Sequence, residues 1–172
     1  MSGKMSKTAF VLLFIALTTS GCAFNRRAVL TTPVGPPPSA VPSRSNEGTL
    51  AVYSALDYDG TGMAEYSNPH HSGYRLLAVD GTLLKYISNR PSTHSEDPEI
   101  VPLPPGSYKV LARASAFGTV TVPVVIEAGK ATSVHLDGSE PLGWSRGPAP
   151  EFVNLPDGLI IGWRAKAESV QP

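Results

Sequence analysis

The chain has 172 residues, with 14 basic and 14 acidic side chains and a formal net charge of zero. A nucleic-acid-binding domain should carry a basic excess, and the net charge supplies no such footprint. Seventeen prolines and sixteen glycines argue against long helices and for short strands joined by turns. The single cysteine leaves burial of apolar side chains, not an intrachain disulfide, to hold the fold together.

Lys4 and Lys7 precede an apolar run from Ala9 to Leu17, followed by Thr18-Thr19-Ser20-Gly21 and then Cys22. The run is too short to span a bilayer as a folded helix and reads as the n-region, h-region and cleavage zone of a secretory signal over residues 1–21. Ser20-Gly21-Cys22 resembles the end of the bacterial lipobox, with Thr19 standing where that family prefers Leu. The resemblance implies that residues 1–21 are removed and that Cys22 is lipidated, anchoring the protein in the cell envelope. Ala23 lacks the aspartate-type signal for inner-membrane retention, so the expected address is the outer membrane. The alternative is an ordinary secreted protein cleaved near Ala23. Loss of Lys4 and Lys7 leaves 12 basic and 14 acidic residues, a net charge of −2. Arg26 and Arg27 could touch anionic headgroups, but two charges make a weak patch.

Residues 22–47 read as a tether. Thr31-Thr32-Pro33-Val34-Gly35-Pro36-Pro37-Pro38 and Val41-Pro42-Ser43 show no helical or strand period, and proline favours extended polyproline conformation. At about 3.1 Å per residue such a spacer would reach at most ~75 Å from the membrane.

Residues 48–139 are dominated by alternation with a period of two. Leu50, Val52, Ser54 and Leu56 form one apolar face. Tyr108, Val110, Ala112 and Ala114 form a second, Val120, Val122, Val124 and Ile126 a third, and Thr132, Val134 and Leu136 a fourth, with His135 on the solvated side. One buried and one solvated face point to antiparallel sheets. Pro123 removes a ladder donor, which suggests an edge or bulged strand. Asp80-Gly81 joins 74–79 to 82–89 as a hairpin, and Pro105-Gly106, Phe117-Gly118, Ala128-Gly129-Lys130 and Asp137-Gly138 mark later turns. About seven strands follow, near 49–56, 74–79, 82–89, 99–103, 107–115, 119–127 and 131–137. The fold class expected is all-β, an antiparallel Greek-key sandwich.

Leu103-Pro104-Pro105-Gly106-Ser107-Tyr108-Lys109-Val110, Phe117-Gly118-Thr119-Val120-Thr121-Val122 and Ile126-Glu127-Ala128-Gly129-Lys130, closing at Val134-His135-Leu136, resemble carboxypeptidase-regulatory-like and related prealbumin-like modules. Val79-Asp80-Gly81-Thr82-Leu83 is similar to the hairpin of the same family. The resemblance covers residues 74–137 and implies a prealbumin-like or immunoglobulin-like sandwich. It implies no peptidase activity, because such sandwiches serve as spacers, stalks, sugar binders and enzyme appendages.

Residues 140–172 form a C-terminal extension. Pro156-Asp157-Gly158 should fold Leu159 to Ala165 back on Phe152-Val153-Asn154-Leu155 as an extra hairpin that covers a sheet edge. Its aromatics and cations, Trp144, Arg146, Phe152, Trp163 and Arg164, are the candidate ligand or partner surface, because aromatic faces stack on sugars or grip a partner. The competing reading is that the tryptophans cap the core.

Other constellations are weak. His70 and His71 are adjacent and would point to opposite sides of an extended chain. His94 lies beside Glu96 and Asp97, and no HxH or HxxxH pair exists, so all four histidines read as solvated and no metal is expected. Asp57-Tyr58-Asp59-Gly60-Thr61-Gly62 with Glu65 fails the spacing of a calcium loop. No nucleophile elbow occurs, so neither catalysis nor a cofactor is expected. The expected function is a non-catalytic, lipid-anchored envelope module that is structural or binds an envelope protein or polysaccharide, with no nucleic acid as partner. The alternatives are a carbohydrate-binding module using Trp144 and Trp163 and a metal-handling periplasmic protein using the histidines.

Overall fold

The computed structural model describes residues 26–58, 69–92, 95–139 and 151–166. In chain order the strands are β1 (Arg26–Val29), β2 (Val34–Gly35), β3 (Gly48–Tyr53), β4 (Leu56–Tyr58), β5 (Pro69–His71), β6 (Tyr74–Leu77) and β7 (Leu83–Ile87). They continue as β8 (Ile100–Leu103), β9 (Gly106–Ala114), β10 (Gly118–Ile126), β11 (Ala131–His135), β12 (Phe152–Asn154) and β13 (Ile160–Arg164). The fold is all-β. An eight-stranded sheet runs β12-β13-β2-β10-β9-β6-β7, with β1 also paired to β10, and it faces a three-stranded sheet β11-β3-β8 as in a sandwich.

The long hairpin β9–β10 is the centre of the large sheet, in register from Gly118 opposite Ala114 to Ile126 opposite Gly106. Its alternation does what the sequence pattern demands. Val110, Val120, Val122 and Val124 are fully buried, and Ala112, Ala114 and Ile126 nearly so. Leu50, Val52 and Val134 of the small sheet, with Leu136 just after β11, close the same core from the other side. The Asp80-Gly81 turn forms as expected. Gly81 adopts φ 95°, and the Asp80 carboxylate accepts the Thr82 amide at 2.8 Å, which closes the β6–β7 hairpin.

Three expectations are corrected. First, residues 26–35 are not tether. β1 pairs in parallel with Gly118 to Thr121, β2 pairs with Val124, and Val34 is fully buried. The Pro-rich stretch beyond is also held to the body, because the Ser43 amide donates to the Gly129 carbonyl at 2.9 Å. Second, Pro123 does not mark an edge, since β10 is flanked on both sides. The proline is tolerated because it falls between the two paired segments, after Thr121 opposite Val29 and before Val124 opposite Val34. The neighbouring chain makes its excursion at that point, through Leu30 to Pro33. Gly118 permits the close approach of β1. It sits at φ 123°, and a Cβ there would collide with the Arg26 carbonyl oxygen.

Third, the sheets are mixed and not wholly antiparallel, because β11 runs parallel to β3 as well as β1 and β2 to β10. A parallel pair needs a long crossover, and here the chain between β3 and β11 builds most of the large sheet. The first long strand is also shorter than expected. It stops at Tyr53, where the Ser54 amide turns back to the Val52 carbonyl at 3.0 Å. Leu56 then joins the separate β4–β5 pair and is 36% exposed.

The C-terminal hairpin is present as β12–β13, with Phe152 opposite Trp163 and Val153 opposite Gly162. It extends the large sheet by pairing β13 with β2. Gly162 is needed where it sits, because a Cβ would lie 2.5 Å from Val34 Cγ1 and 3.0 Å from the Ser133 carbonyl oxygen.

Candidate functional site

The hairpin brings three of the expected surface residues together. The Phe152 and Trp163 rings lie 4.5 Å apart at 41°, a cross-strand aromatic pair, and Arg164 follows on the same strand. Their exposure differs. Phe152 is 4% exposed and belongs to the interior, Trp163 is half-buried, and Arg164 is open to solvent. Phe152 therefore contributes support, not a stacking platform. Trp144 and Arg146 lie outside the described residues, as does Cys22. Beside the hairpin a cleft of about 420 Å³ runs between the β1–β2 segment and β12–β13. Thr31, Thr32, Asn154 and Arg164 supply its polar lining, and Val29, Leu30, Phe152 and Val153 the apolar part. Thr31 and Thr32 enter through the docked N-terminal segment, whose composition alone reads as tether.

A second cluster lies at the end of β3, and no sequence motif points to it. Tyr53 stacks on His135, with ring centroids 4.2 Å apart and planes 9° from parallel, and meets His71 edge-on at 5.4 Å. His71 and His135 are only 4% and 8% exposed, a correction to the solvated histidines expected from sequence. His135 does alternate outward from the small sheet, but Tyr53 and the β5 strand cover that side. Around them the His71 Nδ1–H donates to the Ser54 carbonyl at 2.7 Å, and the Ser54 hydroxyl donates to the Ser72 carbonyl at 2.5 Å. The fully buried Asn89 closes the network. Its amide NH₂ donates to the Val52 carbonyl at 2.8 Å and to Ser54 Oγ at 3.0 Å, and its oxygen accepts the Glu99 amide at 3.0 Å. Asn89 holds φ 60°, a left-handed conformation that Asn tolerates better than most residues.

Burial pushes the His135 pKa down to about 4, with nearby Asp137 opposing and His71 reinforcing the shift. Burial, aided by Asp97 and Asp137, raises the Tyr53 hydroxyl. Both shifts favour neutral rings, and neutral stacked rings make this cluster a structural element. Among the described residues no three His, Cys, Asp or Glu side chains converge on a common point. His94, and Asp59 to Glu65 of the rejected calcium loop, lie outside the described residues.

The pH dependence follows from the direction of the shift. Unfolded His135 takes up a proton near pH 6.5 and the folded one only near pH 4, so the unfolded chain binds more protons between these values. Stability is fully present above pH 6.5 and is lost as pH falls through about 4. At about 1.36 kcal/mol per pKa unit the loss is on the order of 3 kcal/mol. Urea denaturation from neutral pH down to about 4 should show this slope, and His135→Phe, which can stack but not ionise, should flatten it. Parallel curves for the two proteins would remove His135 as the cause.

Compared with protein-family models, curated proteins and solved structures, the chain matches none.

Proposed function

We propose that this protein is a non-catalytic lipoprotein of the cell envelope, anchored through Cys22 in the outer membrane, whose β-sandwich is a structural or protein-binding module. One observation supports the reading beyond the signal-like N-terminus. The chain is already part of the large sheet at Arg26, four residues after Cys22. Four peptide steps of about 3.8 Å span at most ~15 Å. An acylated Cys22 would therefore hold the domain against the bilayer, not on the long spacer that the proline content suggested. A β-sandwich that resembles prealbumin-like modules fits this role, since such sandwiches serve as stalks and binding modules.

Expression of the full chain in a double-membrane bacterium tests the anchor. Wild type should partition into detergent and be processed, while Cys22→Ser should accumulate as unprocessed precursor. Two acyl chains anchor stably where one is marginal, at about 0.8 kcal/mol per buried CH₂. Soluble, unlipidated wild type beginning near Ala23 would reject the reading. A second reading, saccharide binding, is favoured by the cleft beside the β12–β13 hairpin, where Arg164, Asn154, Thr31 and Thr32 present donors and acceptors.

A further inference from the structure

The balanced charge of the chain conceals a sharp partition. The eight strands of the large sheet contain Arg26, Arg27, Arg75, Lys85, Lys109, Arg113 and Arg164 and not one Asp or Glu. The acidic residues of the described chain fall in connections and in the β4 strand. Register then sorts the cations. Val120, Val110 and Leu76 mark the side of β10, β9 and β6 that faces the core, so their alternating neighbours lie on the outer face. One cross-strand row there reads Val29, Thr121, Leu111, Arg75, Tyr86. The row beside it towards the β9–β10 turn reads Arg27, Thr119, Arg113, and the row on the other side reads Pro123, Lys109, Leu77. Arg27 and Arg75 are exposed, and so are the apolar side chains of Val29 at 73% and Tyr86 at 62%.

Among the described residues the counter-charges are few and lie at the rim. Asp57 of β4 pairs with Arg113, and Asp80 sits in the β6–β7 turn near Lys109. Lys109 itself donates to the Val79 carbonyl, not to a carboxylate. An apolar trough of about 430 Å³ crosses the same face, lined by Pro33, Val79, Tyr108, Lys109, Pro123 and Val125. Five strands at about 4.8 Å spacing make this face roughly 19 Å wide. It combines separated cations with exposed Val and Tyr side chains, which suits a surface that is anionic at its headgroups and apolar just below.

We infer that the outer face of the large sheet is a docking surface for an anionic lipid bilayer. Arg27 and Val29, on that face, are only five and seven residues beyond Cys22, so an acyl anchor would lay the sheet down on the membrane from which it is tethered. The choice of occupant rests in that part on the lipoprotein reading, and in the rest on charge and apolar exposure alone.

The test uses the processed chain, residues 22–172 with Cys22→Ser, which keeps every described strand and carries no lipid. It should sediment with phosphatidylglycerol vesicles and not with phosphatidylcholine vesicles, and physiological salt should weaken the binding. Each basic residue at an anionic surface strengthens partitioning about fivefold. The combined variant Arg27→Glu, Arg75→Glu, Lys109→Glu should therefore bind at least ~100-fold more weakly, while its circular dichroism stays that of the folded sheet. Arg44→Glu, in the exposed loop before β3, should bind as wild type does. Equal binding to both vesicle types, a triple variant that binds as wild type, or equal damage from Arg44→Glu would overturn the proposal. Tighter capture by a soluble sulfated polysaccharide than by vesicles would also overturn it, assigning the face to polyanions. Detergent partitioning of the acylated protein tests the anchor separately, so an anchored protein whose unlipidated form ignores vesicles sinks only the docking surface.

Discussion

Val122→Asp should leave the protein unfolded in buffer. Val122 is fully buried at the centre of β10, opposite Val110 on β9, with valines on both sides along its own strand. Removing a buried valine side chain forfeits about 1.5–3 kcal/mol. Its replacement is worse, because a carboxylate there has only apolar neighbours on its face and must either shed its hydration unpaired or take up a proton, at a further cost of several kcal/mol. The sum is comparable with the roughly 5–15 kcal/mol that holds a domain folded. Val110→Asp should behave alike. Val29→Asp is the internal comparison, because Val29 is 73% exposed and an exposed change should move stability by no more than about 0.5 kcal/mol. Circular dichroism and urea titration of the three variants measure the difference. If the two core variants melt like wild type, the face assigned to the interior is the wrong one.

The two-residue alternation from Ser107 to Leu136 was legible because one side of each strand is pressed against the opposite sheet and the pattern repeats over long strands. β1 and β2 were not legible for the opposite reason. Arg26–Val29 is four residues and Val34–Gly35, between Pro33 and Pro36, is two, and neither has a period of its own. They are strands because the second side of β10 is open to them, a tertiary cause that no local window contains. His135 shows a different limit. Its alternation with Val134 correctly turns it out of the main core, yet Tyr53 and the β5 strand cover the outer side of the small sheet there. The β12–β13 hairpin could be read from the Pro156-Asp157-Gly158 turn, but the pairing of Phe152 with Trp163 could not, because the register shifts by one residue between Asn154 and Val153. The basic face could not be read, since 14 basic and 14 acidic residues cancel over the chain and only strand register separates them.

Deleting residues 156–172 should destabilise the protein severely or make it aggregate, although residues 74–137 remain whole. The deletion removes β13, whose Ile161 is fully buried, together with Leu159, which packs on the core, and Ala165 just beyond the strand, which is 8% exposed. It also strips what those residues cover. Val34 of β2, now fully buried, pairs with Arg164, and the ring of Phe152, 4% exposed, leans on Trp163. Burial of each large apolar side chain is worth about 1.5–3 kcal/mol, so several lost at once consume much of a domain's margin. The truncated chain would also expose the β2 edge, and an open apolar edge is a template for pairing with another molecule. Ile161→Ala separates packing from edge exposure, because it keeps the strand and should cost about 2–5 kcal/mol through the cavity alone. Thermal melts and size-exclusion chromatography distinguish the outcomes. A lower melting temperature for Ile161→Ala with a monomeric profile, and aggregation only for the deletion, would divide the role of β13 into core packing and edge protection. A truncated protein that stays monomeric and melts unchanged would show that the hairpin is peripheral, and Trp163 would then be held in place for a ligand and not for the core.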